Sequence, residues 1–179
     1  YADVLVVIAV TDRAAHTHGL STFMVEKGTP GFRPGKKEDK LGLRASDTAE
    51  LIFEDCVLPA EALLGAEGEG FLDAMRVLDG GRISIAALAL GIGRGALDAA
   101  LKYVKERKQF GQSIGKFQQV ATKIVDMKLR LETARALLYR SAWLASKGRS
   151  VFMEAAMAKL HISDSWVKCA EDAIQIHGG

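Results

Sequence analysis

The stretch LDGGRISIAALALGIGRGALDAALKYVKERKQFGQSIGKFQQ, Leu78–Gln119, decides how this chain is built. Ile83, Ala87, Leu90, Leu97, Leu101 and Val104 are spaced 4, 3, 7, 4 and 3 residues apart. That rhythm predicts a long helix with one apolar stripe, which must bury against a partner. Gly91, Gly93 and Gly95 fall inside it, each costing about 1 kcal/mol of helix propensity relative to Ala. Close approach by a helix or a ligand is the expected compensation. The helical rhythm then stops at a polar link, ERKQFGQSIGKFQQ, Glu106–Gln119.

Downstream, Phe117, Val120, Ile124, Met127, Leu131, Ala134, Leu138 and Ala142 keep a 3-4 rhythm and predict a second helix. Met153, Ala156, Leu160, Val167, Ala170 and Ile174 predict the apolar stripe of a third. Short links around 108–115 and 147–151 predict antiparallel neighbours in a helical bundle. Upstream, a shorter helix is expected over Gly70–Leu78, with Gly80 and Gly81 breaking or bending the join. Before residue 66 the pattern changes to short apolar runs between turns. VLVVIAV, Val4–Val10, predicts a buried strand. Phe23 and Val25 share a face of a second strand, and Leu51 and Phe53 alternate with Glu50, Ile52 and Glu54 in a third. Gly28–Gly31 is a turn, and Pro59 holds Leu58 extended at the close of the third strand. The expected class is α+β: an all-β part over 1–66, then helices over 67–179.

Composition bounds the function classes. The chain has 179 residues, 49% of them hydrophobic, with 24 Lys plus Arg against 22 Asp plus Glu. A net charge of +2 argues against a protein built mainly for nucleic acid or an anionic membrane surface. The apolar runs read as too short for a membrane span. Cys56 and Cys169 form neither a metal spacing nor a disulfide framework. Tyr1-Ala2-Asp3 carries no secretory signal, and an apolar start with a Gly178-Gly179 end makes both ends look cut.

Three segments carry candidate chemistry. In the link, Arg107 ends one helix and Gln118 starts the next. A guanidinium beside a helix N-terminus suits a phosphate, while Lys102, Lys105, Arg107 and Lys108 equally complement a helix C-terminus. Asp79 and Arg82 stand three apart, as a surface ion pair or as a polar pair at a cleft mouth. Gln175–Gly179 ends a helix; Gly178 suits a left-handed cap, and the glycine pair also permits close backbone approach to a ligand. His16 and His18 are expected to be solvated rather than metal-bound, and His161 and His177 to pack or cap.

Taken with MEAAMAKL (Met153–Leu160), DAIQIHGG (Asp172–Gly179), FMVEKGTPGF (Phe23–Phe32) and KLGLRASDTAELIFEDCVLP (Lys40–Pro59), the Leu78–Gln119 stretch resembles the acyl-CoA dehydrogenases. The resemblance runs along essentially the whole chain. It implies the rear of a middle β-barrel-like domain followed by an incomplete antiparallel helical bundle, truncated at both ends. It implies FAD as cofactor, an acyl-CoA substrate, an electron-transfer flavoprotein as partner, and a homotetramer whose FAD sites are shared between subunits. Arg107 matches the family arginine on the FAD pyrophosphate across the interface, with Gln109 and Phe110 beside it. Gln118 matches another FAD contact, and Gln175, Ile176, His177, Gly178 and Gly179 match the segment approaching FAD from the partner subunit. Asp79, Arg82 and Thr11 match acyl-CoA contacts.

The implied reaction is α,β-dehydrogenation of the thioester to the trans-2-enoyl-CoA, in the cytoplasm of a bacterium or the mitochondrial matrix of a eukaryote. No catalytic residue is assigned. The usual Glu lies beyond the glycine pair, and the position where some members carry Glu instead is Gly81. The LDGGRI segment resembles that of short-chain members. Other readings are an acyl-CoA oxidase or non-CoA flavoenzyme on the same scaffold, and a non-catalytic helical assembly module.

Overall fold

A computed structural model describes residues 2–179. Its contacts divide the chain into two compact units, Tyr1–Arg76 and Val77–Gly179.

In the first unit, β1 (Val4–Val10) pairs antiparallel with β2 (Leu20–Glu26), from Val4 opposite Glu26 to Val10 opposite Leu20. β5 (Leu63–Leu64) adds to the far side of β2. A separate pair joins β3 (Phe32–Lys37) to β4 (Ala49–Phe53), with an irregularity between Pro34 and Lys37. These open antiparallel sheets are the β part of the α+β fold. The turn at 28–31 forms, with positive φ at Gly28 and Gly31. At Gly31 the backbone of Glu54 and Cys56 comes within 2.8 Å of where a Cβ would stand, so no other residue fits.

Two strand expectations need correction. β1 is not buried: its residues alternate, and Val4, Val6, Ile8 and Val10 are exposed. An unbroken apolar run cannot say which of its faces is covered. In β4 Leu51 and Phe53 are exposed and Ile52 is the half-buried one, although Phe53 stacks on Phe32 at 5.0 Å. β3 and the two-residue β5 have no sequence signal. FRPGKK carries Pro and Gly inside the strand, which reads against one.

The second unit is built on most of α1 (Gly70–Glu106), whose first residues up to Arg76 count with the first unit, and on α2 (Gln118–Ser146) and α3 (Phe152–His177). The core is Ala86, Leu90, Leu97, Ala100 and Val104 of α1, Met127, Leu131, Ala134 and Leu138 of α2, and Ala158, Ile162, Cys169 and Ala173 of α3. α2 and α3 run antiparallel: Asp172 takes hydrogen bonds from Lys123 at 2.9 Å and Arg130 at 2.8 Å, and Thr133 meets His161 at 3.3 Å. Burial pushes the Asp172 carboxyl up, but the two cations outweigh it and hold it below the usual carboxylate range. Burial pushes the Cys169 thiol up, so it stays protonated and packs as a small apolar group.

Gly93 is the alternate glycine that justifies itself. A Cβ there would lie 2.8 Å from Leu131 Cδ2 and 3.2 Å from Trp166 Cβ, whereas Gly91 and Gly95 meet nothing among the described residues. α1 is also continuous through Gly80 and Gly81, so no separate short helix exists. Glycine weakens a helix without removing its N–H, and the Asp79–Arg82 pair and the Ser84 hydroxyl donating to the Gly80 carbonyl span the site.

The face of α3 is the larger correction. Its buried residues are Ala155, Ala158, Ile162, Ser165, Cys169, Ala173 and Ile176, while Met153 and Leu160 are 67% and 62% exposed. The small face packs because small residues let helices approach closely; the large apolar residues form a second, uncovered stripe. α1 likewise exposes Ile85, Leu88 and Ile92. This all-round apolarity makes α1 long and apolar enough, by length and composition, to cross a membrane. That corrects the expectation that no segment reaches this measure. Its buried stripe in a helical core is what a bundle helix requires.

Candidate functional site

The polar link holds structure that periodicity could not show. β6 (Lys108–Gln109) and β7 (Gln112–Ser113) pair as a tiny hairpin with Gln109 opposite Gln112. Phe110 and Gly111 form its two-residue turn with φ +51° and +79°, the positive pair that a type I′ hairpin requires. Phenylalanine in that conformation costs about 1 kcal/mol. The residue is 91% exposed, its ring meeting Phe117 edge-on at 6.2 Å. A strained, projecting aromatic at a hairpin tip is a feature of binding surfaces rather than of cores.

The hairpin is anchored at its base. Arg107 N–H donates to the Tyr103 carbonyl at 2.9 Å, and Ile114 N–H to the Arg107 carbonyl at 3.0 Å. The Ser113 hydroxyl donates to the Val104 carbonyl. The Arg107 side chain itself is exposed and makes no ion pair among the described residues. Gln118 opens α2 and is exposed; Phe117 before it supplies no side-chain cap, which leaves first-turn N–H groups for another acceptor.

α3 ends at the same end of the bundle. Gly178 caps it in the left-handed conformation, φ +96°, its N–H donating to Gln175 at 3.2 Å and that of Gly179 to Ile174 at 3.1 Å. Gln175, His177, Gly178 and Gly179 are exposed, while the Ile176 side chain is buried in the core. His177 Nδ1–H donates to the Ala173 carbonyl at 2.7 Å, and its ring stacks on Tyr103 at 4.3 Å. The stack joins the end of α1 to the end of α3. Arg107, Gln109, Phe110, Gln118 and Gln175–Gly179 are therefore brought to one end of the bundle.

Asp79 and Arg82 are not part of that cluster. Some 27 residues of continuous helix separate Asp79 from Glu106, about 40 Å at 1.5 Å per residue. There Arg82 donates to Asp79 and lies over the Phe152 ring at 5.4 Å. Thr11 belongs to the β unit. Its hydroxyl shares a hydrogen bond with Ser21 at 2.8 Å, and Ser21 accepts from the Gly68 N–H at 2.9 Å. Thr11 also lines an apolar cavity of about 500 Å³ with Val7, Ala9, Phe23, Val25 and Phe53. Sequence reasoning missed Tyr103, Phe117 and Phe152. Each looks like a core aromatic; only its contact shows that it props a candidate residue.

An α+β chain whose cation, uncapped helix start, exposed aromatic and glycine-ended helix converge on one end has the donors for an anionic dinucleotide. The comparisons agree with that class. Residues 68–179 match the family model for the acyl-CoA dehydrogenase C-terminal domain, and residues 1–56 that for the middle domain. The chain belongs to the acyl-CoA dehydrogenase family. It is 50% identical to the short-chain specific acyl-CoA dehydrogenase of Clostridium acetobutylicum over 178 residues, 99% of this chain and 47% of that protein. A chain in the structure described as the electron transferring flavoprotein of Acidaminococcus fermentans superposes with TM-score 0.97 at 56% identity, over 99% of this chain and 47% of that one. Butyryl-CoA dehydrogenase of Megasphaera elsdenii gives 0.97 at 48%, over 99% and 46%. The chain thus spans about half the length of the relatives it matches.

Proposed function

We propose that the intact protein catalyses flavin-dependent α,β-dehydrogenation of a short acyl-CoA, giving the trans-2-enoyl-CoA, and passes electrons to an electron-transfer flavoprotein. The carrying observation is the convergence of Arg107, the Phe110 hairpin, the start of α2 and the Gln175–Gly179 cap on one end of the bundle. In this reading residues 1–66 are the C-terminal part of the middle domain and 67–179 an incomplete helical domain. In a bacterium the activity belongs in the cytoplasm, in a eukaryote in the mitochondrial matrix.

The residues fit FAD. The Arg107 guanidinium, without an ion pair among the described residues, and the first turn of α2 at Gln118 would hold the pyrophosphate. Phe110 and Gln109 would flank it, and the exposed Gly178-Gly179 backbone admits close approach. Ile176 contributes through its backbone, since its side chain is in the core. FAD, when bound, supplies the hydride acceptor. Asp79 and Arg82 would contact the acyl-CoA, with Phe152 holding the guanidinium in place, and Thr11 would contact the substrate from the β unit. No residue of 1–179 is assigned as the base.

The 40 Å between the two helical clusters supports a homo-oligomer in which each end of the bundle serves a different site. We take that oligomer to be a homotetramer with FAD sites shared between subunits. The test is direct. The intact protein should purify yellow, bleach on adding butyryl-CoA without oxygen, and reduce a dye or electron-transfer flavoprotein far faster than it forms peroxide. Colourless protein that takes up no FAD contradicts the proposal, and peroxide as the main product converts it to an oxidase.

A further inference from the structure

Tyr103 lies outside the set of residues just assigned to ligands, but it stacks on one of them, His177. The stack is a side-chain contact between the last turn of α1 and the last turn of α3. Tyr103 is half-buried and packs on the bundle core. Its carbonyl accepts the Arg107 N–H at 2.9 Å, so the residue that orders the backbone entering the hairpin also orders the ring on α3. On the α3 side His177 is pinned twice, by the stack and by Nδ1–H donating to Ala173. A carbonyl only accepts, so Nδ1 carries the proton in this contact. The next two residues are the exposed glycines, whose own cap consists of two hydrogen bonds of 3.1–3.2 Å. A glycine-ended helix terminus is otherwise free to fray.

We propose that Tyr103 is a positioning residue for cofactor binding. By stacking on His177 it clamps the Gln175–Gly179 terminus to the Arg107 end of α1, so that both segments are preorganised before FAD arrives. The inference rests on the FAD reading above. Its mechanism is preorganisation: a segment ordered in the free protein pays less conformational entropy on binding.

The test uses the intact protein with four variants, reading FAD affinity by titration of the apoprotein and apoprotein Tm separately. Tyr103→Phe keeps the ring and should bind FAD like the parent. Tyr103→Leu removes the stack and should weaken FAD about tenfold. Leu138→Ala is the stability control: it opens a core cavity away from this end and should lower Tm while leaving FAD affinity unchanged. Arg107→Ala tests the underlying reading. If Arg107→Ala weakens FAD but Tyr103→Leu weakens it no more than Leu138→Ala does, Tyr103 is merely structural and the inference falls alone. If Tyr103→Phe is as weak as Tyr103→Leu, the hydroxyl rather than the stack matters, and the inference falls. If Arg107→Ala binds FAD normally, the FAD reading falls and takes the inference with it.

Discussion

The two ends of the helical bundle present the same kinds of residue in opposite states. At the end marked by Asp79 and Arg82, the arginine is already neutralised by its carboxylate and covered by Phe152. At the end marked by Arg107, the arginine makes no ion pair among the described residues, the neighbouring helix start has no side-chain cap, and a phenylalanine is held out in strained geometry. A paired arginine keeps its shape without ligand and can orient one. An arginine without an ion pair among exposed donors suits an anionic partner. On the proposed function, the contrast separates a preformed polar lip from an anion-binding platform, although both began in sequence as a charged residue near a glycine.

The largest effect should come from the unpaired end. Arg107→Ala removes a charge-assisted contact and should weaken FAD about 100-fold, with apoprotein Tm unchanged because the backbone hydrogen bonds of Arg107 remain and its side chain makes no ion pair among the described residues. A large fall in Tm would mean that the two ends are alike and structural. Next, Arg82→Gln at the paired end should raise KM for butyryl-CoA about tenfold with FAD fully retained. Loss of FAD from that variant would erase the distinction.

Asp172→Asn asks whether the α2–α3 clasp matters to the platform. Breaking hydrogen bonds to a charged, mostly buried group should cost about 2 kcal/mol at pH 7, read by denaturant titration. The Asp172 carboxyl is held below its usual range by Lys123 and Arg130. Its contribution is therefore complete above the unfolded value of about 3.9 and is lost as pH falls through the lower folded value. The gap between parent and variant should close in that acid range and stay constant from pH 6 to 8. The smallest effect is at Phe110. Phe110→Asn relieves left-handed strain and should raise apoprotein stability by about 0.5–1 kcal/mol while weakening FAD. Gain in both would show that the ring has no role in binding.

The existence of three helices was legible because each repeats an apolar residue every three or four positions. The face of α3 was not. Met153, Leu160, Val167 and Ile174 carry more apolar bulk than Ala155, Ala158 and Ala173, so size points to the wrong stripe; closeness of packing chose the small one. The expected break at Gly80-Gly81 failed because glycine lowers propensity without preventing a hydrogen-bonded turn. The two-residue pairs β5 and β6–β7 are too short to leave a pattern. The candidate residues themselves were found through resemblance, because charge and spacing alone left Arg107 between a helix-dipole partner and an anion ligand. What the sequence could not show was their grouping: the Tyr103–His177 stack joins residues 74 positions apart.

The central claim is that the two ends of one bundle belong to two different active sites. Subunit complementation tests it most directly. Arg107→Ala and Arg82→Gln forms of the intact protein, each assayed at FAD and butyryl-CoA concentrations well below those that saturate the variants, so that each alone keeps about a tenth of the parental rate or less, are unfolded together and refolded as mixed oligomers. If each site takes Arg82 from one subunit and Arg107 from its partner, half the mixed pairs' sites carry both lesions and half carry none. Activity should then return to about a quarter of the parental value under random pairing across a two-fold interface. Mixed oligomers as inactive as the separate variants would contradict the claim and place both ends in the same site.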